Sequence, residues 1–276
     1  MAVERVQSAI ARARAQRAGL ETVYEIDEDL PMAEDEEDFI EPLPPEDWNA
    51  LPKSGMTARI LDRARIVTAG LAEHSSAFDM MRTKVLQRMK TEGWKRIAIT
   101  SPDKSCGKSM VAMNLAFSLS RQVELRTILV EADLRQPSLA KAMRLSPQGG
   151  FAEVLRREVP FPKSLVRVRE NLAVLANRDR SPASAELLHS DSVPGVLKEI
   201  ERAYRPDMMI FDLPPLMLAD DTLAFLGNVD CALLVTSAEH TTTAQVEACV
   251  REISDRTALV GVVLNKYRSA GAASGY

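Results

Sequence analysis

The sequence predicts an α/β fold, a doubly wound and mostly parallel sheet, preceded by an acidic arm that builds no core of its own. Three observations carry this expectation. Short, continuous, β-branched apolar runs recur from residue 96 onward. Helix-like stretches long enough for right-handed crossovers separate them. The 276 residues also divide by charge: residues 1–50 carry 14 acids and 4 bases, while residues 51–276 carry 25 acids and 31 bases, so the formal total of −4 sums two opposite pieces.

In chain order, residues 1–20 read as a short basic amphipathic helix. Val3, Val6, Ile10 and Ala13 recur at spacings of three and four, Arg5, Arg12, Arg14 and Arg17 fall mostly on other faces, and Gly19 is a stop. A helix of this length is marginal in water without something to pack on. Residues 21–56 read as a disordered linker, because Glu21 to Asp47 holds 13 carboxylates, no Lys or Arg, and Pro31, Pro42, Pro44 and Pro45.

The domain proper is expected over 57–268, followed by a flexible tail over 269–276. Thr57–Lys90 reads as one or two helices. Six runs then read as strands buried on both faces: Arg96–Ser101, Thr127–Asp133, Leu172–Ala176, Met208–Asp212, Cys231–Ser237 and Leu259–Asn265. No stretch of 18 apolar residues occurs and Met1–Leu20 is too polar for a secretory signal, so a soluble cytoplasmic protein is expected. Cys106, Cys231 and Cys249 have neither the number of a disulfide framework nor the spacing of a zinc site.

Ligands of doubly wound sheets bind at the carboxyl ends of the strands, and four of the six runs end there in Ser101, Asp133, Asp212 and Asn265. The first leads into Ser101-Pro102-Asp103-Lys104-Ser105-Cys106-Gly107-Lys108-Ser109 and then the apolar helix that opens at Met110. A triphosphate needs backbone N–H groups and a helix N-terminus aimed at it and a cation reaching its outer oxygens. Gly107-Lys108-Ser109 supplies these, so ATP and Mg²⁺ are the expected cofactors and a P-loop NTPase fold is the expected frame. Pro102 stands where the loop consensus has its first glycine.

In this reading Ser109 is a metal ligand, and a neighbouring strand end provides the second: Asp212 fits, and Asp133 and Glu131 are further candidates. Glu131 and Asp133, at i and i+2, are expected to point the same way, so either serves as the group that accepts a proton from an attacking hydroxyl. An Asp133–Arg135 salt bridge is the structural alternative for that pair.

Taken together, ITSPDKSCGKSMVAMNLAFSLS, ILVEADLRQPSL, GGFAEVLR, SPASAELL, PDMMIFDLPPLMLADDT and GVVLNK resemble, in order and spacing over residues 72–267, the bacterial tyrosine kinases. These are cytoplasmic P-loop kinases of capsule and exopolysaccharide export, akin to the partition and septum-site ATPases. The resemblance implies catalytic roles for Lys108, Glu131, Asp133 and Asp212, and a nucleotide-binding set of Lys104, Ser105, Cys106, Gly107, Lys108, Ser109, Met110, Arg135 and Asn265, with Asn265 near the adenine. It implies metal binding by Ser109, Asp133 and Asp212, and phosphorylation of Tyr276 or Tyr267. It also implies activation by the cytoplasmic tail of a membrane polysaccharide co-polymerase, and self-association.

Several positions depart from the family pattern. Ser105 replaces a loop glycine, Glu131 replaces an aspartate, and Ser76, Asp79 and Arg82 stand where a ring-forming helix motif has Glu, Arg and Arg. Those departures keep two alternatives open: a catalytically weak, nucleotide-dependent scaffold, and a ParA/MinD-like positioning ATPase. Nucleic acid is not an expected partner, because the excess of bases in residues 51–276 is spread rather than clustered.

Overall fold

The computed structural model describes residues 47–70, 75–238 and 240–267. The helix expected over 1–20, the acidic linker up to residue 46, and Tyr276 lie outside the described residues.

Seven strands form one sheet in the order β3-β4-β2-β5-β1-β6-β7. They are β1 (Arg96–Thr100), β2 (Thr127–Glu131), β3 (Leu165–Arg169), β4 (Leu172–Leu175), β5 (Met208–Asp212), β6 (Cys231–Ser237) and β7 (Ala258–Asn265). All neighbours pair in parallel except β3 and β4. Four longer helices, α1 (Ser76–Glu92), α2 (Lys108–Leu119), α3 (Ser192–Tyr204) and α4 (Thr243–Ser254), cover the two faces with several short helical turns. One face buries Val196, Leu197 and Ile200 of α3 and Ile253 of α4. The other buries Val85 and Met89 of α1 and Val111, Leu115 and Leu119 of α2. Helix α2 is buried from Val111 to Leu119, as its mostly apolar sequence requires, with Asn114 and Ser118 satisfied by hydrogen bonds to Arg65 O and Asp79 Oδ1.

The six expected strands are present, and three features differ from expectation. Strand β3 is an additional, antiparallel edge strand. Its Leu-Val-Arg-Val-Arg alternates instead of running continuously apolar, because its arginines serve the rim: Arg167 Nη1 donates to Asn49 Oδ1 at 2.7 Å and Arg169 lies over the Phe117 ring. Strand β7 is not buried on both faces. It is the opposite edge, with Val262 and Leu264 about half exposed.

The third difference is the domain boundary. Residues 47–56, which acidity and prolines assign to the linker, pack on the domain. Trp48 is buried edge-on to Tyr204 and its Nε1 donates to Glu170 O at 2.6 Å. Arg167 N donates to Pro52 O at 2.7 Å, so the segment extends the β3 edge. Among the described residues no helix is long and apolar enough to cross a membrane.

The topology positions the site. β1 lies between β5 and β6, so the crossover to β2 and the later return to β6 leave β1 on opposite sides, which opens a crevice beyond the ends of β1, β5 and β2. Register places Ile99 and Glu131 on either side of Asp212.

Candidate functional site

The loop between β1 and α2 is held from two directions. Thr100 Oγ1 donates to Pro214 O at 2.7 Å, and Leu216 N donates to Ser101 O at 2.8 Å, which joins it to the loop after β5. From β7, Asn265 Nδ2 donates to Cys106 O at 2.8 Å. Gly107 caps α2 with φ +93°, and a Cβ built there would lie 2.3 Å from Asn265 Nδ2, so only glycine fits beneath the asparagine. Ser105, where the family has glycine, also takes the left-handed conformation with φ 62°. The backbone therefore keeps the wrapped shape at a cost of roughly 1–2 kcal/mol of local strain.

Lys108, the first residue of α2, sits at the centre. Its Nζ donates to Asp133 Oδ2 at 2.8 Å, lies 3.5 Å from Asp212 Oδ1 and 3.3 Å from Ser109 Oγ. Burial pulls the ammonium pKa down, and Asp212 and Asp133 more than offset it, so the pKa stands above the usual lysine value. Asp212 is fully buried, and burial pushes its carboxyl up against the pull of Lys108. Asp133 is placed by its own backbone: Ala132 N and Asp133 N both donate to Asp212 O at 2.9 Å, and its Oδ1 accepts from Gln136 N at 2.9 Å. A pocket of about 180 Å³ is lined by Lys104, Ser105, Gly107, Lys108, Ser109, Met110, Asp133, Gln136 and Pro215.

Glu131 does not join them. Strand β2 ends at this residue, so strand alternation does not carry through to Asp133 and the two carboxylates part. Glu131 Oε1 accepts from Ser138 N and Leu139 N, and Oε2 accepts from Asn177 N at 2.8 Å. Both oxygens serve backbone, and Asn177 Oδ1 in turn accepts from Phe151 N at 2.8 Å. The catalytic role expected for Glu131 is thus replaced by a supporting one beneath the loop that carries Asp133.

Burial pushes the Glu131 carboxyl up to about 7, against its three N–H donors and with Asp212 adding to the push. An acid raised in the folded state from its ordinary 4.5 stabilises fully below that value and loses the contribution as pH rises to about 7. The loss is on the order of 3 kcal/mol. Urea midpoints are expected to fall between pH 5 and pH 7, with a shallower slope in Glu131→Gln; an unchanged slope contradicts this.

Arg135 also departs from expectation. Its Nε donates to Asp221 Oδ2 at 2.7 Å and it pairs with Asp220, not with Asp133, and it does not line the pocket. Cys106 is buried and points away toward Thr241. Asn265 bears on the loop rather than lining the pocket. Tyr267 is 68% exposed, not packed. At the unusual helix motif, Asp79 is spent inside the chain, accepting from Ser118 Oγ and Arg121 Nη1, both at 2.9 Å, and pairing with Arg82. Gln136 and Pro215 also line the pocket, and their only signal in the sequence is their place just past two strand-terminal aspartates.

Among the described residues no group of three or more His, Cys, Asp or Glu is placed to hold a metal ion alone. Ser109, Asp133 and Asp212 instead offer a hydroxyl and two carboxylates, which suits Mg²⁺ bound largely by phosphate and water. Asp212 Oδ2, buried without a hydrogen-bond partner, supports that fit.

The profile of the ParA family, described as NUBPL iron-transfer P-loop NTPase, matches residues 94–271. The tyrosine-protein kinase YwqD of Bacillus subtilis is 31% identical over 195 residues, which cover 70% of this chain and 81% of that protein. Among solved structures, the kinase domain of the Escherichia coli tyrosine kinase ETK matches with TM-score 0.68 and 21% identity, covering 82% of this chain and 93% of that one. The septum site-determining protein MinD of Pyrococcus horikoshii, complexed with Mg-ADP, shares the fold at TM-score 0.54 and 20% identity, covering 63% and 70%.

Proposed function

The chain belongs to the bacterial tyrosine kinases within the ParA-type P-loop NTPases, and on that premise we propose how its residues transfer the γ-phosphoryl group of ATP to tyrosine in exopolysaccharide or capsule assembly. The observation that carries the reading is the Lys108 ammonium held between Asp133 and Asp212 at the N-terminus of α2. That ammonium is available to the outer phosphate oxygens, and the N–H groups that open α2 add a partial positive charge facing the same way. Ser109 and Asp212 would hold Mg²⁺, which when bound would supply positive charge against the phosphates.

Of the three strand-end carboxylates, Asp133 alone lines the pocket among the described residues, and it takes the proton of the attacking hydroxyl. Asp212 stays beneath it and orients Lys108. The grounds for a catalytically weak scaffold lose force here: Ser105 keeps the loop shape that a glycine would give, and Glu131 lies outside the chemistry. The membrane partner is a polysaccharide co-polymerase acting through its cytoplasmic tail.

Asp133→Asn tests the assignment, because an amide of the same shape cannot accept the proton. Tyrosine phosphorylation is expected to slow about 100-fold or more, while ATP affinity measured by calorimetry changes much less. An unchanged rate removes Asp133 from the role of base.

A further inference from the structure

Beside the P-loop pocket lies a wider cleft of about 690 Å³ between the helical turn Ala58–Arg63 and the segment 136–144. Arg63, Lys141, Arg144 and Arg180 line it, and among the described residues no carboxylate does. None of these four side chains makes a hydrogen bond or ion pair with a described residue. Arginines nearby are otherwise committed: Arg135 to Asp221, and Arg156 to Ser181. Four unspent cations facing one cleft produce a strong positive potential. Gln136 lines both this cleft and the P-loop pocket, so whatever binds in the cleft reaches toward Lys108 and Asp133.

The sequence contains a segment of matching chemistry. Of its four tyrosines, Tyr204 is buried, Tyr267 lies between Lys266 and Arg268, and Tyr276 follows Gly, Ala and Ser. Tyr24 alone sits among acids, with Glu21, Glu25, Asp27, Glu28 and Asp29 within five residues and no Lys or Arg from 21 to 47.

We propose that the cleft is a substrate subsite for acidic segments and that Tyr24 of a second copy of this chain is a phosphoacceptor. The carboxylates after Tyr24 pair with Arg63, Lys141, Arg144 and Arg180, and the phenol points past Gln136 into the P-loop pocket. The phenol oxygen forms a bond to the γ-phosphorus of a nucleoside triphosphate as the bond from that phosphorus to the β,γ-bridging oxygen breaks. The phenol proton passes to Asp133 and the nucleoside diphosphate leaves. This rests on the kinase reading above.

Two measurements test it. Full-length Tyr24→Phe protein is mixed with full-length Lys108→Met protein and Mg·ATP, and phosphotyrosine is mapped on each copy by mass spectrometry. Phosphate on Tyr24 of the Lys108→Met copy is expected. Phosphate only on Tyr267 or Tyr276 overturns the inference and leaves the kinase reading intact, whereas none on any tyrosine of either copy counts against the kinase reading itself.

In the second, a fluorescent peptide of residues 18–32 is titrated with the full-length protein without nucleotide. Arg63→Glu combined with Arg144→Glu is expected to weaken binding about 10-fold or more, as does replacing the peptide's acids by amides. Equal binding by wild type and double variant overturns the cleft's role. So does binding of phosphatidylglycerol vesicles, but not of the peptide, in a way that depends on these arginines, which makes the cleft a lipid surface.

Discussion

Lys108→Met is expected to lower tyrosine phosphorylation by about 1,000-fold or more, because among the described residues the ammonium at the head of α2 is the one cation held between Asp133 and Asp212. The same substitution is expected to destabilise the fold. It strands two carboxylates, at 5% and 0% side-chain exposure, without their counter-ion. Breaking such a buried pair costs about 3 kcal/mol, or roughly a 6–12 °C fall in Tm for a domain of this size. The loss is expected to shrink toward acid pH. Asp212 is already pushed up by burial, and without Lys108 it rises further, so protonation relieves the unpaired charge. Calorimetric scans of both proteins at pH 5 and pH 8 check this, and a Tm difference that does not depend on pH contradicts it.

Gly107→Ala is expected to abolish measurable ATP binding, a loss of about 100-fold or more, by a different route. The new Cβ meets Asn265 Nδ2 at 2.3 Å, and the φ of +93° is strained for any side chain. Moving Asn265 aside breaks its bond to Cys106 O and frees the loop from β7. The double variant Gly107→Ala with Asn265→Ala removes the clash, keeps the strain of about 1–2 kcal/mol and still lacks the bond to Cys106 O. It is expected to recover only part of the affinity. Full recovery in a calorimetric titration assigns the whole effect to the clash, and no recovery assigns it to backbone strain together with the lost bond to Cys106 O.

The sequence-legible part of the fold is its interior. Continuous apolar runs such as Met208–Asp212 and Cys231–Ser237 coincide with strands β5 and β6, because a strand covered on both faces has no reason to alternate. The edges were harder to read. Strand β3 alternates and carries two arginines that serve the rim, so its period resembles a surface segment. Strand β7 is as apolar as the interior strands although half of it is uncovered.

In the site, Lys108, Ser109, Asp133 and Asp212 are legible because chemistry fixes their spacing on strand ends. Glu131 and Asp133 look equivalent in sequence, and what separates them is the residue at which β2 stops, the turn that brings Ser138 N and Leu139 N back onto Glu131, and a donor at Asn177 that lies 46 residues away. The hold of Arg135 on Asp221 and of Asn265 on Cys106 is not legible for the same reason. Their partners, Asp221 and Cys106, lie 86 and 159 residues away, and no local pattern records such a pairing.

The central claim, that this P-loop passes phosphate to tyrosine, is tested most directly by mass spectrometry of the full-length protein incubated with Mg·ATP over a range of protein concentrations. Phosphotyrosine is predicted in the wild type and its absence in Lys108→Met. Bound nucleotide with no phosphotyrosine in the wild type at any concentration would contradict the account and leave a nucleotide-dependent scaffold.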